Sequence, residues 1–189
     1  TYTHIRQKKV LAAQHADLLK DAETAQQVQT VTISQLLDLF PNGEVIDPRP
    51  SSWSTTIEDI EAGNPYPLWQ DKDNEIHRLQ WEHMAICIEL CSRAAQVADN
   101  EESKHFAGIA RGLLDRASYS CQFWWASHKP MWDINLIHMG IDEQHRAIVN
   151  AYRAINTSGA DGKVKSESYY KVVAARDMRN KVVDRLFIL

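Results

Sequence analysis

The stretch that decides the fold runs from Asp73 to Ala98 and reads DNEIHRLQWEHMAICIELCSRAAQVA. Within it, residues recur at spacings of three and four, which is the repeat of one face of an α-helix. The stripe comprises Ile76, Leu79, His83, Ile86, Leu90, Ala94 and Val97. The pattern therefore predicts one long amphipathic helix from about residue 73 to 98, with this face packed against neighbouring helices.

Two further helical patterns follow directly. Asn100 has the chemistry of an N-cap, and the apolar face that begins after it extends to Trp124, with Pro130 ending the helix. Asp133 is the predicted N-cap of the next helix, whose stripe extends to Ile155.

The turn SGADG, residues 158–162, separates that helix from a fourth one that reaches nearly to the C-terminus. Short connections between helices favour antiparallel neighbours. Residues 73–189 are therefore predicted to form an antiparallel up-down bundle of four main helices in an all-α fold.

Residues 1–72 are predicted to pack on this bundle within one globular domain. They comprise an extra N-terminal helix from His4 to about Gln27, a short helix QLLDLF capped by Ser34, and a long irregular loop at 47–72 laid over one end of the bundle. The loop carries Trp53 and Trp69, and loops of this length are often functional. Inside the loop, Thr55 and Glu58 have the spacing of a capping box for one helical turn that stops at Gly63.

The composition excludes several partners. The chain has 189 residues and a formal net charge of −4, with no basic run, so nucleic acid is not an expected partner. No apolar run approaches the roughly 20 residues that a membrane span requires. Three cysteines, Cys87, Cys91 and Cys121, form no CxxC motif, and small buried thiols are typical of a reducing cytoplasm.

The chain begins at Thr1 and opens directly into a helical pattern. An excised fragment would look like this, and removal of a tag or an initiator residue would give the same start.

The sequence contains no motif that predicts catalysis or a cofactor. It has no Gly-rich phosphate loop, no GxSxG and no HExxH. One metal-site alternative arises because two pairs of a carboxylate and an imidazole lie one helical turn apart, as in di-iron bundles. The alternative site would use Glu102, His105, Asp142 and His145. Purified protein would then contain a metal, and these four side chains would have to converge.

Six tryptophans in 189 residues are unevenly placed, and three of them fall within SCQFWWASHKPMW, residues 120–132. Adjacent residues on a helix point about 100° apart, so one face cannot bury both Trp124 and Trp125. We expect Trp124 to point into the core and Trp125 to face the loop or a ligand, whereas Trp81 is expected to pack in the core. Flat indoles stack well on sugar rings.

The order of several segments resembles the C-terminal helical region of family 57 glycoside hydrolases and their polysaccharide-deacetylase-like relatives. The segments are SSWSTT, PLW, NEIHRLQW, GLLDRASYSCQFWWAS and QHRAIVNAYRAI, and the likeness spans roughly residues 31–156. Its anchors are Trp53, Trp69, Trp81, Phe123, Trp124, Trp125, His145 and Tyr152. Ser51-Ser52-Trp53 stands where the family has Gly-Ser-Trp, and Ser120-Cys121-Gln122 stands where it has Ser-Asp-Trp.

The resemblance implies that the catalytic carboxylates belong to an N-terminal β/α barrel and that the helical region lends aromatic side chains to a glucan-binding cleft. This chain shows no βα alternation, so no barrel is expected within it. We therefore predict a non-catalytic domain of a carbohydrate-active enzyme that binds polysaccharide or oligosaccharide, or packs on that barrel. The expected contact residues are Trp53, Trp69, Trp125, Trp132 and His145. A structural protein-interaction domain is the remaining alternative.

Overall fold

A computed structural model of the chain describes residues 16–18, 20, 31–41, 43, 47–129 and 131–188. These residues form helices and loops, with no strand among them, which confirms the all-α class. The chain divides into two compact units, Thr1–Pro48 and Arg49–Leu189. The predicted boundary after residue 72 differs from this division, because residues 49–72 belong to the same unit as the bundle.

The first unit contains helix α1, Ile33–Leu39. Its N-cap is Thr32 rather than the predicted Ser34, because the Thr32 hydroxyl and the Gln35 side chain form a reciprocal capping box. The predicted N-terminal helix from His4 to Gln27 lies outside the described residues except at 16–18 and 20, which are helical.

The second unit contains four long helices and two short ones. In chain order these are α2 Ile57–Glu61, α3 Glu75–Val97, α4 Glu101–Ala117, α5 Cys121–Trp124, α6 Ile134–Thr157 and α7 Gly162–Arg185. Helices α3 and α6 contact each other, and each also contacts both α4 and α7. The predicted caps Asn100 and Asp133 are confirmed, since each side chain accepts a backbone N–H of the first turn.

Helix α2 begins one residue later than the sequence predicts. The capping box uses Thr56 and Asp59, whose side chains each bond the other's backbone N–H. The hydroxyl of Thr55 donates instead to the carbonyl of Pro65, at 2.7 Å. The chain leaves the helix at Gly63, where the left-handed backbone (φ 67°) suits glycine.

Helix α4 ends at Ala117, seven residues before the predicted end at Trp124. The Ser118 hydroxyl donates to the carbonyl of Leu114 at 2.7 Å, and the Gln122 side-chain amide donates to the carbonyls of Ala117 and Tyr119. Side chains thus satisfy carbonyls that a continuing helix would have bonded to backbone N–H groups.

The apolar core has two parts. The larger part joins α3, α4 and α6 through side chains such as Leu90, Leu113 and Ile148. The smaller part lies nearer the start of α3 and includes Ile137 and Val182. Both follow the predicted stripes, and burial of this kind is the main source of stability in a helical bundle.

A set of polar contacts closes the end of the bundle where α4 begins and α6 ends. The Asn100 side chain donates to the carbonyl of Thr157 at 2.9 Å, and the Asp99 carboxylate accepts the backbone N–H of Gly159 at 3.0 Å. A Cβ at Gly159 would clash with that carboxylate, so glycine permits the close approach. We call this arrangement the distal clip.

Gly140 of α6 lets the short helix α5 dock. A Cβ at this position would lie 2.7 Å from the Cβ of Gln122 and 2.8 Å from its Oε1. We expect Gly140→Ala to lower the free energy of unfolding by about 1–3 kcal/mol through overpacking. Urea denaturation measures this change.

Gly108→Ala in α4 is the matched control. A Cβ there meets nothing within 4 Å, so the higher helix propensity of alanine should raise stability by about 0.5–1 kcal/mol. Equal effects of the two substitutions would contradict the packing argument.

Candidate functional site

All six tryptophans lie at the end of the bundle opposite the distal clip, in segments that precede or begin α3 or that connect α4 to α6. They do not form a single cluster. Aromatic rings instead pair at centroid distances of 5.9 Å for Trp53–Trp69, 4.2 Å for Trp81–Phe123, 5.6 Å for Tyr119–Trp125 and 3.9 Å for His128–Trp132. We call this region the indole end.

The predicted contact residues have different environments. Trp53 is 81% exposed, whereas Trp69 is half-buried and packs against the larger core. Trp125 and Trp132 are half-buried and pack against the smaller core. Trp125 also meets the ring of Tyr119 at 5.6 Å, and the expectation that it faces the loop or a ligand stays a prediction. Nε1 of Trp124 is buried and has no hydrogen-bond partner among the described residues.

A cleft of about 510 Å³ lies between residues 63–72 and the first turns of α3. Its volume falls within the range of small-molecule sites. Its walls comprise Gly63, Asn64, Pro65, Tyr66, Gln70, Asp71, Lys72, Arg78, Trp81 and Glu82. It is the candidate binding site, and none of the five predicted carbohydrate contacts lines it.

Trp81 is the indole that does line the cleft. It is 39% exposed, so the expectation that it packs in the core is wrong. Its ring stacks on Phe123 at 4.2 Å with an interplanar angle of 7°, and its Nε1–H donates to the carbonyl of Trp69 at 2.9 Å. Phe123 thus covers one face, Trp69 fixes the ring edge, and the opposite face remains for a ligand.

Polar groups surround this indole. The Asp71 carboxylate accepts hydrogen bonds from the Asn64 side chain and from the backbone of Asp73, at 3.2 and 3.0 Å. Arg78 forms ion pairs with Glu82 at 2.8 Å and with Glu75 at 3.7 Å. Carboxylates, amides and a guanidinium can all bond hydroxyl groups. The two cations of the walls, Lys72 and Arg78, are matched by two carboxylates, Asp71 and Glu82, so the cleft has no net formal charge and favours a neutral ligand.

A chain of buried side chains runs beneath the cleft. The side-chain nitrogen of Gln122 donates to the carbonyl of Ala117 at the end of α4. Its side-chain oxygen accepts a hydrogen bond from Gln144 Nε2 at 2.7 Å. The Gln144 oxygen in turn lies 2.7 Å from His83 Nδ1, and an amide oxygen can only accept. His83 therefore carries its proton on Nδ1, and its Nε2 presents a lone pair toward Nδ1 of His145 at 3.5 Å.

His145 marks the outer end of this chain. It is half-buried beside the ion pair of Arg179 with Asp142, which has an N···O distance of 2.6 Å, and His138 contacts the same carboxylate at 3.2 Å. Burial and the Arg179 charge lower the pKa of His145, while Asp142 opposes them. The polar face predicted from the His138, Asp142 and His145 spacing is thus present, but it faces Arg179 of α7 and His83 of α3 and does not line the cleft.

A second buried imidazole connects the cleft wall to α5. The backbone N–H of Asp71 donates to His77 Nδ1 at 3.0 Å, which leaves His77 Nε2–H to donate to the carbonyl of Phe123 at 2.9 Å. Burial lowers the pKa of His77. Gln80 also donates to α5, at the carbonyl of Gln122 (3.1 Å). The peptide that carries Phe123, and with it the stacking partner of Trp81, is therefore held from α3.

One feature of the sequence indicates this network. His83 occupies an apolar stripe position of α3, where a polar residue requires a partner. Its partners, Gln144 and Gln122, come from other helices at positions that carry no sequence signature.

The structure does not bring the four alternative metal ligands together. Glu102 and His105 lie in the first turns of α4, beside the distal clip, whereas Asp142 precedes Thr157 at that clip by 15 residues of helix, or roughly 22 Å. Among the described residues, no group of three or more His, Cys, Asp or Glu side chains is arranged to hold a metal ion.

Comparison with protein-family models finds no matching family, and comparisons with curated proteins and solved structures find no significant match. Within the described part of the chain, no helix combines the length and the apolar character needed to cross a membrane.

The buried imidazole of His83 makes stability depend on pH. Burial lowers its pKa from 6.5 to about 4, against the opposing hydrogen bond to Gln144. Between these values the unfolded chain binds a proton that the folded chain does not, so stability falls as pH falls from 6.5 toward 4. We expect a loss of about 3 kcal/mol from this one group by pH 4.

Urea denaturation of the wild type and His83→Asn at several pH values measures this effect, since asparagine can replace the Nδ1 donor but does not titrate. The variant should lose much of the dependence on pH. Gly140→Ala, which lowers stability without removing a titrating group, should keep it. A dependence that is unchanged in His83→Asn would contradict the assignment to His83.

Proposed function

We propose that this chain contains a non-catalytic saccharide-binding domain, associated with a carbohydrate-active enzyme, and that its cleft at Trp81 takes a neutral sugar ring. The observation that carries the proposal is the indole of Trp81, which has one face on Phe123 and 39% of its surface exposed in a 510 Å³ cleft. A flat aromatic ring among hydroxyl-bonding side chains suits the apolar face of a sugar and its polar rim.

The neutral character of the ligand follows from the charges in the cleft. Arg78 is already paired with two carboxylates, and the Lys72 ammonium donates to the carbonyl of Ala62, so these cations attract an acidic sugar less than unpaired ones would. Asn64, Gln70 and Asp71 provide the donors and acceptors that sugar hydroxyls require.

The absence of bond cleavage is part of the proposal. A glycosidase acid is a carboxyl group whose pKa is raised, commonly by an apolar pocket. Here neither carboxylate of the cleft stands in an apolar pocket, since Glu82 is paired with Arg78 and Asp71 accepts two N–H groups. In this proposal catalysis belongs to a barrel partner, as the family resemblance implies, and the thiols of Cys87 and Cys91 fit a cytoplasmic protein.

Titration with neutral glucan oligosaccharides, followed by isothermal calorimetry and tryptophan fluorescence, tests the proposal. Wild-type protein should bind and change its fluorescence, and Trp81→Ala should weaken binding at least about tenfold, since it removes the stacking surface.

Tyr170→Ala, which removes an exposed aromatic ring of α7 outside the cleft, is the control and should bind as the wild type does. The proposal fails if the wild type binds no oligosaccharide, or if Trp81→Ala binds as tightly as Tyr170→Ala.

One observation favours a protein-interaction domain as the second candidate. Trp53 is 81% exposed and Ile57 is 71% exposed, and large apolar side chains on a surface often mark a protein contact. Light scattering separates the two candidates. A dimer that Trp53→Ala converts to a monomer, together with no response to saccharide, would support this second function.

A further inference from the structure

We propose that the saccharide site continues across Asp71 into a second cleft with its own aromatic platform, His128, so that the ligand is an oligosaccharide and not a single ring. This inference rests on the proposed function, and it adds a second subsite and a residue that determines ligand length.

The second cleft has a volume of about 300 Å³ and lies between the start of α3 and residues 127–129. Asp71 lines both clefts, so a ligand can pass from one to the other over a single side chain. Volumes of this size suit small-molecule subsites.

Asp71 is held firmly at this junction. Its backbone N–H donates to His77 Nδ1 at 3.0 Å, and hydrogen bonds from described residues reach its carboxylate at Oδ1 alone. Oδ2 therefore remains available to accept a ligand hydroxyl.

His128, like Trp81, has one face of its ring stacked on another aromatic side chain. Its imidazole stacks on Trp132 at 3.9 Å with an interplanar angle of 18°, and Trp132 packs against the smaller core. One face of the ring is thus supported, and the residue is exposed at the cleft wall. In each cleft a supported ring offers its other face to a ligand.

The backbone of His128 has an unusual conformation. Its φ is 58°, which is the left-handed region that residues other than glycine rarely adopt. The Ser127 hydroxyl accepts the Lys129 N–H at 3.2 Å and donates to the Lys129 carbonyl at 3.0 Å, so the turn is closed around His128. Backbone conformations of this kind are found more often than elsewhere in segments that bind ligands.

The charged side chains that line the second cleft are Asp71, Asp73, Glu75, Lys129 and Arg185, and Arg185 is paired with Glu75 at 2.7 Å. Carboxylates outnumber cations there, whereas in the first cleft Asp71 and Glu82 balance Lys72 and Arg78. Neither cleft has an excess of positive charge, so both suit a neutral chain better than an anionic one.

Calorimetric titration of the full chain with glucan oligosaccharides of one to seven units tests the inference. For the wild type, affinity should rise at least about tenfold between one unit and four and then level off, as a second subsite is filled. His128→Asn should abolish most of this gain and leave the affinity for one unit unchanged, because asparagine tolerates the left-handed backbone but has no ring.

Two further variants make the result decisive. His128→Gly removes the ring with no backbone cost and should reproduce His128→Asn; a retained gain in the glycine variant would assign the effect to the turn and overturn the inference. His105→Asn, which alters an exposed histidine near the distal clip, should keep the full gain.

The outcomes separate the two proposals. A wild type that binds no saccharide removes the proposed function and the second subsite together. Binding that Trp81→Ala weakens, with an affinity that does not depend on length or a gain that His128→Asn retains, removes the second subsite alone.

Discussion

The side chain of Gln122 must find three partners in the interior of the bundle, because a buried amide without hydrogen bonds costs about 1–3 kcal/mol per unsatisfied group. Its side-chain nitrogen donates to the carbonyls of Ala117 and Tyr119, and its side-chain oxygen accepts from the Gln144 amide. These bonds end α4, place α5 against α6 at Gly140, and fix the direction of every hydrogen bond out to His83. Replacing Gln122 would affect all of these elements at once.

The binding cleft depends on the same short helix. Phe123 follows Gln122, its carbonyl is held by His77, and its ring supports Trp81. The Trp81 wall of the candidate cleft is therefore positioned by side chains that do not line the cleft themselves. This arrangement positions the stacking surface on a segment of only four residues, which could not hold its shape by backbone hydrogen bonds alone.

The fold was largely predictable, and the cleft was not. Stripes at helical spacing and caps such as Asn100 and Asp133 depend on local chemistry, so the long helices and their starts were correct. The early end of α4 depends on Gln122 reaching back to α4 carbonyls and across to α6, which no local pattern encodes. Trp81 follows the buried residue Gln80 on α3. Its exposure depends on residues 63–72, which lie beside the ring and leave part of it uncovered. The metal alternative failed because spacing along a helix reveals nothing about which ends of two helices meet.

The two ends of the bundle are held together in different ways. The distal clip joins helix termini through short polar contacts over connections of three or four residues. At the indole end the termini are separated by longer segments and joined mainly through side chains. Regions with fewer local constraints open at lower free-energy cost, so fluctuations of this domain should concentrate where the clefts lie. A ligand that contacts several of these segments at once would link them and so raise the free-energy cost of opening at that end.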